Sequence, residues 1–301
     1  MNKQRMSRAA VSLRLRIKAM LVGFTLTVLA AGSANASIDI ASSPLFVTAS
    51  VDPNILFIID DSGSMQWETM PDAITNLFEA GCCANHIMWV YPRVAGLHGA
   101  GDYDAQRVPS FAATSIMGHV YRSALVNTVY YSPAVTYLPW VDASGNSMSD
   151  SPPHAAPNRP LFPALGTRNL TVDNTQAAWW ITDRTSAHVN QTRTFFPAVY
   201  STYVGPPIPD LNTAISNAGS PIWTLTNYQR TEIRPANAPF TGEGRESRSD
   251  CVAGICTYEQ EIQNFANWYT YHRNRIFASR AGIGRAFAAQ GEGVRVGFGA
   301  I

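Results

Sequence analysis

The stretch from Asn54 to Met65 reads NILFIIDDSGSM, and it constrains the fold more than any other. Ile55, Leu56, Phe57, Ile58 and Ile59 form a continuous apolar run between Pro53-Asn54 and Asp60-Asp61-Ser62-Gly63. The run is too short for a helix and rich in β-formers, so it predicts a strand. It is apolar at every position rather than at every second one, which predicts cover on both faces. Such strands belong to parallel sheets enclosed by helices, and the expected fold class is therefore α/β.

The N-terminus predicts export. Lys3, Arg5, Arg8, Arg14, Arg16 and Lys18 make a basic start, Ala19 to Ala31 form an apolar core, and Ala34-Asn35-Ala36 supplies small residues for cleavage before Ser37. This is the three-part pattern of a secretory signal at 1–36. The apolar core of 13 residues falls short of the roughly 20 that span a bilayer, so no membrane span is expected after cleavage. Without that segment, 16 arginines face 21 acidic residues, a net charge of −5, and no electrostatic case for nucleic-acid binding remains. Charged residues are only 14% of the chain and hydrophobic ones 46%, so there is enough apolar material for a core.

Export also places the cysteines where bridges persist. Cys82, Cys83, Cys251 and Cys256 are the disulfide candidates, and four cysteines allow three pairings. Cys251 and Cys256 could close a small loop around Gly254; cross-pairing with Cys82 and Cys83 is an equal contender. Zinc is the weaker alternative, since no C-x-x-C is present.

Along the mature chain, residues 37–65 hold the first strand and its turn. Residues 66–257 hold 17 of the 19 prolines and six of the seven tryptophans, which predicts an ordered, loop-rich insertion with short strands and no long helix. Its tip, 142–163, is expected to be the most mobile part. Ile262, Phe265, Tyr269, Ile276, Ile283 and Phe287 then fall on one stripe, predicting a single helix over 258–289. Val294 to Ile301 reads as another strand.

The chemistry is expected at Asp60, Ser62 and Ser64. Ligand sites in open parallel sheets form just past the carboxyl ends of strands. A turn there can gather one carboxylate and two hydroxyls, with Gly63 easing the bend. These are hard oxygen donors, suited to Mg²⁺, with Mn²⁺ or Ca²⁺ as alternatives. Such a set neutralises a divalent cation only in part, so the ion can still attract an acidic group of a ligand. The competing reading is a polar turn whose serines merely satisfy backbone groups.

NILFIIDDSGSM resembles the first strand and metal-ion-dependent adhesion site of von Willebrand factor type A domains. The chain as a whole resembles the N-terminal part of the PilY/PilC family of type IV pilus biogenesis proteins and tip-associated adhesins. The stretches Asn127–Val141, Asn264–Phe287 and Arg295–Ile301 carry that resemblance, as an aromatic segment, a helix and the next strand. It implies a Rossmann-like parallel sheet continuing at 258–301, interrupted after its first strand by the insertion. It also implies pilin subunits or pilus-tip proteins as partners, and a periplasmic, outer-membrane or cell-surface location in a Gram-negative bacterium. The threonine and aspartate that complete the site in A domains would fall beyond Ile301, so the domain is expected to be incomplete at its C-terminus.

No enzyme is expected. A serine nucleophile elbow wants G-x-S-x-G, and the six histidines carry no signature. Gly282-x-Gly284 lies inside a helix pattern rather than after a strand, which reads as helix packing. The expected function is pilus assembly and metal-dependent surface adhesion; a metal-independent assembly factor and a secreted hydrolase are the alternatives.

Overall fold

Alternation of exposure along Asn54–Ile59 identifies this run as a strand, β1, in the computed structural model of the protein. The structure describes residues 53–78, 86–92, 107–185, 187–290 and 293–300. They belong to one compact unit, Asp52–Ile301; the other, Met1–Val51, contains the expected export signal and lies outside the described residues, as do Cys82 and Cys83.

After β1 come a 3₁₀ turn at Gly63–Gln66, helix α1 (Asp72–Thr75), β2 (Arg107–Pro109), α2 (Ile116–Tyr121), β3 (Ala156–Pro157) and β4 (Thr167–Arg168). Then follow β5 (Asn174–Ile181), β6 (His188–Phe195), β7 (Val199–Tyr203), α3 (Leu211–Ser216), β8 (Tyr228–Glu232), β9 (Phe240–Thr241) and β10 (Ile255–Cys256). Helices α4 (Tyr258–Tyr271) and α5 (Arg275–Ala288) and strand β11 (Arg295–Ala300) complete the described elements. β1 and β11 run parallel, Asn54 opposite Arg295 and Ile59 opposite Ala300. β2, β5 and β6 form a mixed sheet, parallel between the first two and antiparallel between the last two, and β7 pairs antiparallel with β8. The fold is mixed α/β with parallel strand pairs.

β1 departs from the expected burial on both faces. Phe57 packs on Phe287 of α5 at 4.3 Å between ring centres, whereas Leu56 and Ile58 are 68% and 60% exposed. Among the described residues β1 has one neighbouring strand and one covering helix. A two-strand ribbon can bury only the alternate side chains that face its single cover.

The helix expected over 258–289 is two helices. α4 starts at a reciprocal cap: Thr257 Oγ1 accepts from Gln260 N and Gln260 Oε1 accepts from Thr257 N. It ends at Tyr271, whose carbonyl accepts a 2.7 Å hydrogen bond from Trp140 Nε1. Asn274 then caps α5, its side chain accepting from Phe277 N at 2.9 Å. Arg273 lies between the two helices, buried, and pairs with Glu68 at 2.9 Å. The break is what lets a charged side chain leave the helical path and meet that partner.

The main core is aromatic and draws on both α4 and the proline-rich stretch. Phe265, Trp268 and Tyr269 meet Tyr91, Tyr130 and Tyr131, all buried. Short strands leave many carbonyls without a ladder partner, and side chains fill the gap. Tyr130 Oη donates to Val199 O, Trp268 Nε1 to Val129 O and Asn127 Nδ2 to Glu68 O. The tip at 142–163, expected to be mobile, is instead fastened along α4. Ser151 N donates to Asn267 Oδ1 at 2.9 Å, Ser151 and Thr270 share a hydroxyl bond, and Tyr271 Oη donates to Ser149 O. Cys251 and Cys256 are joined in a disulfide with their Cα atoms 4.8 Å apart, immediately before α4.

Candidate functional site

The turn after β1 brings the three expected side chains together. The chain leaves the strand at Asp60, whose Oδ1 accepts from Ser62 N at 2.8 Å, an Asx turn that reverses the backbone. The 3₁₀ turn follows at once, closed by Met65 N donating to Ser62 O and Trp67 N to Ser64 O. This tight turn puts Ser62 Oγ and Ser64 Oγ 3.0 Å apart. Asp60 is open to solvent. Hydrogen bonds from the Ser62 side chain and backbone hold its carboxyl below the usual range, so it is a carboxylate at neutral pH.

The turn is anchored from behind. Trp67 O accepts from Arg275 N, the Arg275 guanidinium lies 5.0 Å from the Trp67 ring, and Arg275 Nε donates to Thr69 O. Glu68, next in the chain, is buried. It accepts from Arg273 and from Val90 N and Tyr91 N. The α4–α5 break thus supplies both guanidinium groups that hold the segment carrying the site. This link was absent from the sequence reading, which ran one helix through it.

Asp60, Ser62 and Ser64 offer three hard oxygen donors on one face of a turn, part of the six or so that Mg²⁺ or Ca²⁺ takes. Among the described residues no cluster of three or more His, Cys, Asp or Glu side chains is arranged to hold a metal ion. A cation at this turn would therefore rest on one carboxylate, hydroxyls and further oxygens from water or a ligand. Among the described residues the two serine hydroxyls bond to each other and neither bonds to a histidine.

Asp61 borders a cleft of about 180 Å³ between the turn and α5, with Arg159 and Arg280 on its walls. Burial, and after it the charge of Arg280, lowers the Arg159 pKa. Two cations beside one carboxylate leave the cleft positive. Nothing in the sequence links Arg159, in the proline-rich tip, to a turn almost a hundred positions earlier.

No protein-family model and no solved structure matches the chain. It is similar over most of its length to two curated proteins, both called type IV pilus biogenesis factor PilY1. Identity to the one from Pseudomonas aeruginosa strain UCBPP-PA14 is 26% over 289 residues, 94% of this chain and 19% of that protein. Identity to the one from strain PAK is 23% over 263 residues, 87% of this chain and 17% of that protein. The chain spans less than a fifth of the length of these relatives, and the similarity supports a PilY1-like type IV pilus factor.

Proposed function

We propose that the protein is an exported, PilY1-like factor that takes part in type IV pilus assembly and in surface adhesion. In this reading the adhesive site is a divalent cation, Mg²⁺ first, held by Asp60, Ser62 and Ser64 on a von Willebrand factor A-like fold. The observation that carries it is the convergence of one ionised carboxylate and two hydroxyls, 3.0 Å apart, past the end of a strand in a parallel pair. Three donors leave coordination positions open, and an acidic group of a ligand can fill one. The positive cleft at Arg159 and Arg280 would favour the same sign of charge. Pilin subunits or other pilus-tip proteins are the proposed partners, and the role is not catalytic.

One feature favours a second reading, a metal-independent assembly factor. The turn satisfies itself without an ion, since Ser62 and Ser64 bond each other and Asp60 bonds Ser62 N. Asp60→Ala in the native gene separates the two. Metal-dependent adhesion predicts normal piliation with attachment lost, a loss that a chelator reproduces in the unaltered protein. Loss of piliation with no response to a chelator favours scaffolding. Attachment and piliation both unchanged in Asp60→Ala would remove the site from the function altogether.

A further inference from the structure

We propose that the groove bordered by β6, β8 and Ser110–Ala113 is a binding site for a small carboxylate-bearing ligand, distinct from the metal turn. The groove encloses about 340 Å³, within the range of roughly 300–1,000 Å³ usual for small-molecule sites. Buried rings form its floor: Phe111 stacks on Phe195 at 4.3 Å, and Trp180 meets both edge-on. Rigid aromatic walls cost little entropy when a ligand settles on them.

The charge arrangement points to the ligand. Arg193, Arg230 and Arg234 face the groove against two carboxylates, Asp173 and Glu232. Arg234 pairs with both acids and lies 3.7 Å over the Phe196 ring; Arg230 pairs with Glu232 at 2.7 Å. Arg193 has no acidic partner among the described residues. Its Nε and Nη2 both donate to the Gln191 side-chain oxygen, its Nη1 donates to Ser110 Oγ at 3.0 Å, and the guanidinium lies 5.7 Å from the Trp180 ring. A planar guanidinium held only by neutral partners, beside an aromatic wall, can exchange the Gln191 amide oxygen for a ligand carboxylate, whose two charged oxygens make the stronger two-pronged bond.

A second positive charge stands behind it. Ser110, Phe111 and Arg230 also border a void of about 10 Å³ that Arg122 and His119 reach. Arg122 is buried, bonds only carbonyl oxygens through its two terminal nitrogens, and its Nε has no partner among the described residues. Burial lowers its pKa to about 10, which still leaves it charged at neutral pH. The groove therefore carries an excess of positive charge set in low-dielectric surroundings. Asp173 and Glu232 at its side would repel a dianion, which favours a monocarboxylate over a phosphate. A sugar acid and a peptide carboxylate share this chemistry.

Calorimetric titration of the full chain tests the site with D-glucuronate and with N-acetylphenylalanine, whose amide and inorganic phosphate serve as controls. We expect saturable binding of at least one acid, and which one binds tells the two sources apart. The amide should not bind, and phosphate should bind more weakly. Arg193→Gln should weaken the binding about tenfold, as loss of a charge-assisted pair does. Glu232→Gln should tighten it about threefold by removing a repelling charge, a gain that misfolding cannot produce. Failure of both acids to bind overturns the proposal, as does an amide equal to its acid or phosphate binding more tightly than either. An Arg193→Gln variant with unaltered affinity, or a Glu232→Gln variant without the gain, overturns it equally. None of these outcomes bears on Asp60, so the site stands or falls apart from the metal reading.

Discussion

Glu261 is an acidic side chain with no exposure to water, and its neighbours explain how that is tolerated. Arg245 reaches Oε1 at 2.7 Å, Tyr131 Oη donates to the same oxygen at 2.9 Å, and Arg248 pairs with Oε2. Arg245 and Arg248 are themselves buried and are further neutralised by Glu243 and Asp250. Removing one partner from such a set strands the others, so Glu261→Gln should destabilise the protein by about 3 kcal/mol or more. Glu259→Gln, on the exposed side of the same helix, should stay within about 0.5 kcal/mol. Chemical denaturation of the two variants checks this, and equal midpoints would show that the network contributes nothing. The contrast with Asp60 is instructive. Asp60, Ser62 and Ser64 lie within five positions of one another and were legible as a group, because a turn joins neighbours. Glu261, Arg245 and Arg248 were not legible as a group, because only burial gives their charges meaning.

At the scale of elements, β1 was legible as a strand but not in its surroundings. Its apolar run marks β-structure, while the number of covering layers depends on what packs against it. Phe57 faces α5, and Leu56 faces water. Phe57→Ala should therefore cost about 2 kcal/mol, toward the low side for a ring that is only half-buried, and Leu56→Ala less than about 0.5 kcal/mol. Denaturant midpoints with unchanged slopes would measure both; the reverse order would mean that the strand presents its other face to the helix. The division of the expected long helix has a local signal that its apolar stripe overshadowed. Asn274, three positions before Phe277, is a favourable helix start, and His272-Arg273 ahead of it contributes nothing to the stripe. The strongest reason for the break is distant: Glu68, some two hundred positions away, waits for Arg273.

Across the whole molecule, burial is unevenly spread. Every residue of α4 from Asn264 to Tyr271 is buried, whereas α5 buries only Phe277 and Ala281, and β11 is exposed along most of its length. Local opening follows such differences. Hydrogen exchange should find the α4 amides protected to the level of global unfolding and those of β1 and β11 exchanging well before them. Equal protection in both would mean that the strand pair and the aromatic core unfold as one unit. Local properties were what the sequence alone could determine: the first strand, the turn with its three oxygen donors, the start of α4, and the want of long helices among the prolines. Each depends on residues close together along the chain, where propensity and spacing act directly. Tertiary structure alone decided that α4 belongs to the same core as the proline-rich stretch, that its break carries the arginines bracing the turn at Asp60, and that a positive groove opens beside β6 and β8. Those outcomes rest on charges and rings brought together from remote positions, and their energies arise only once water has been removed from around them.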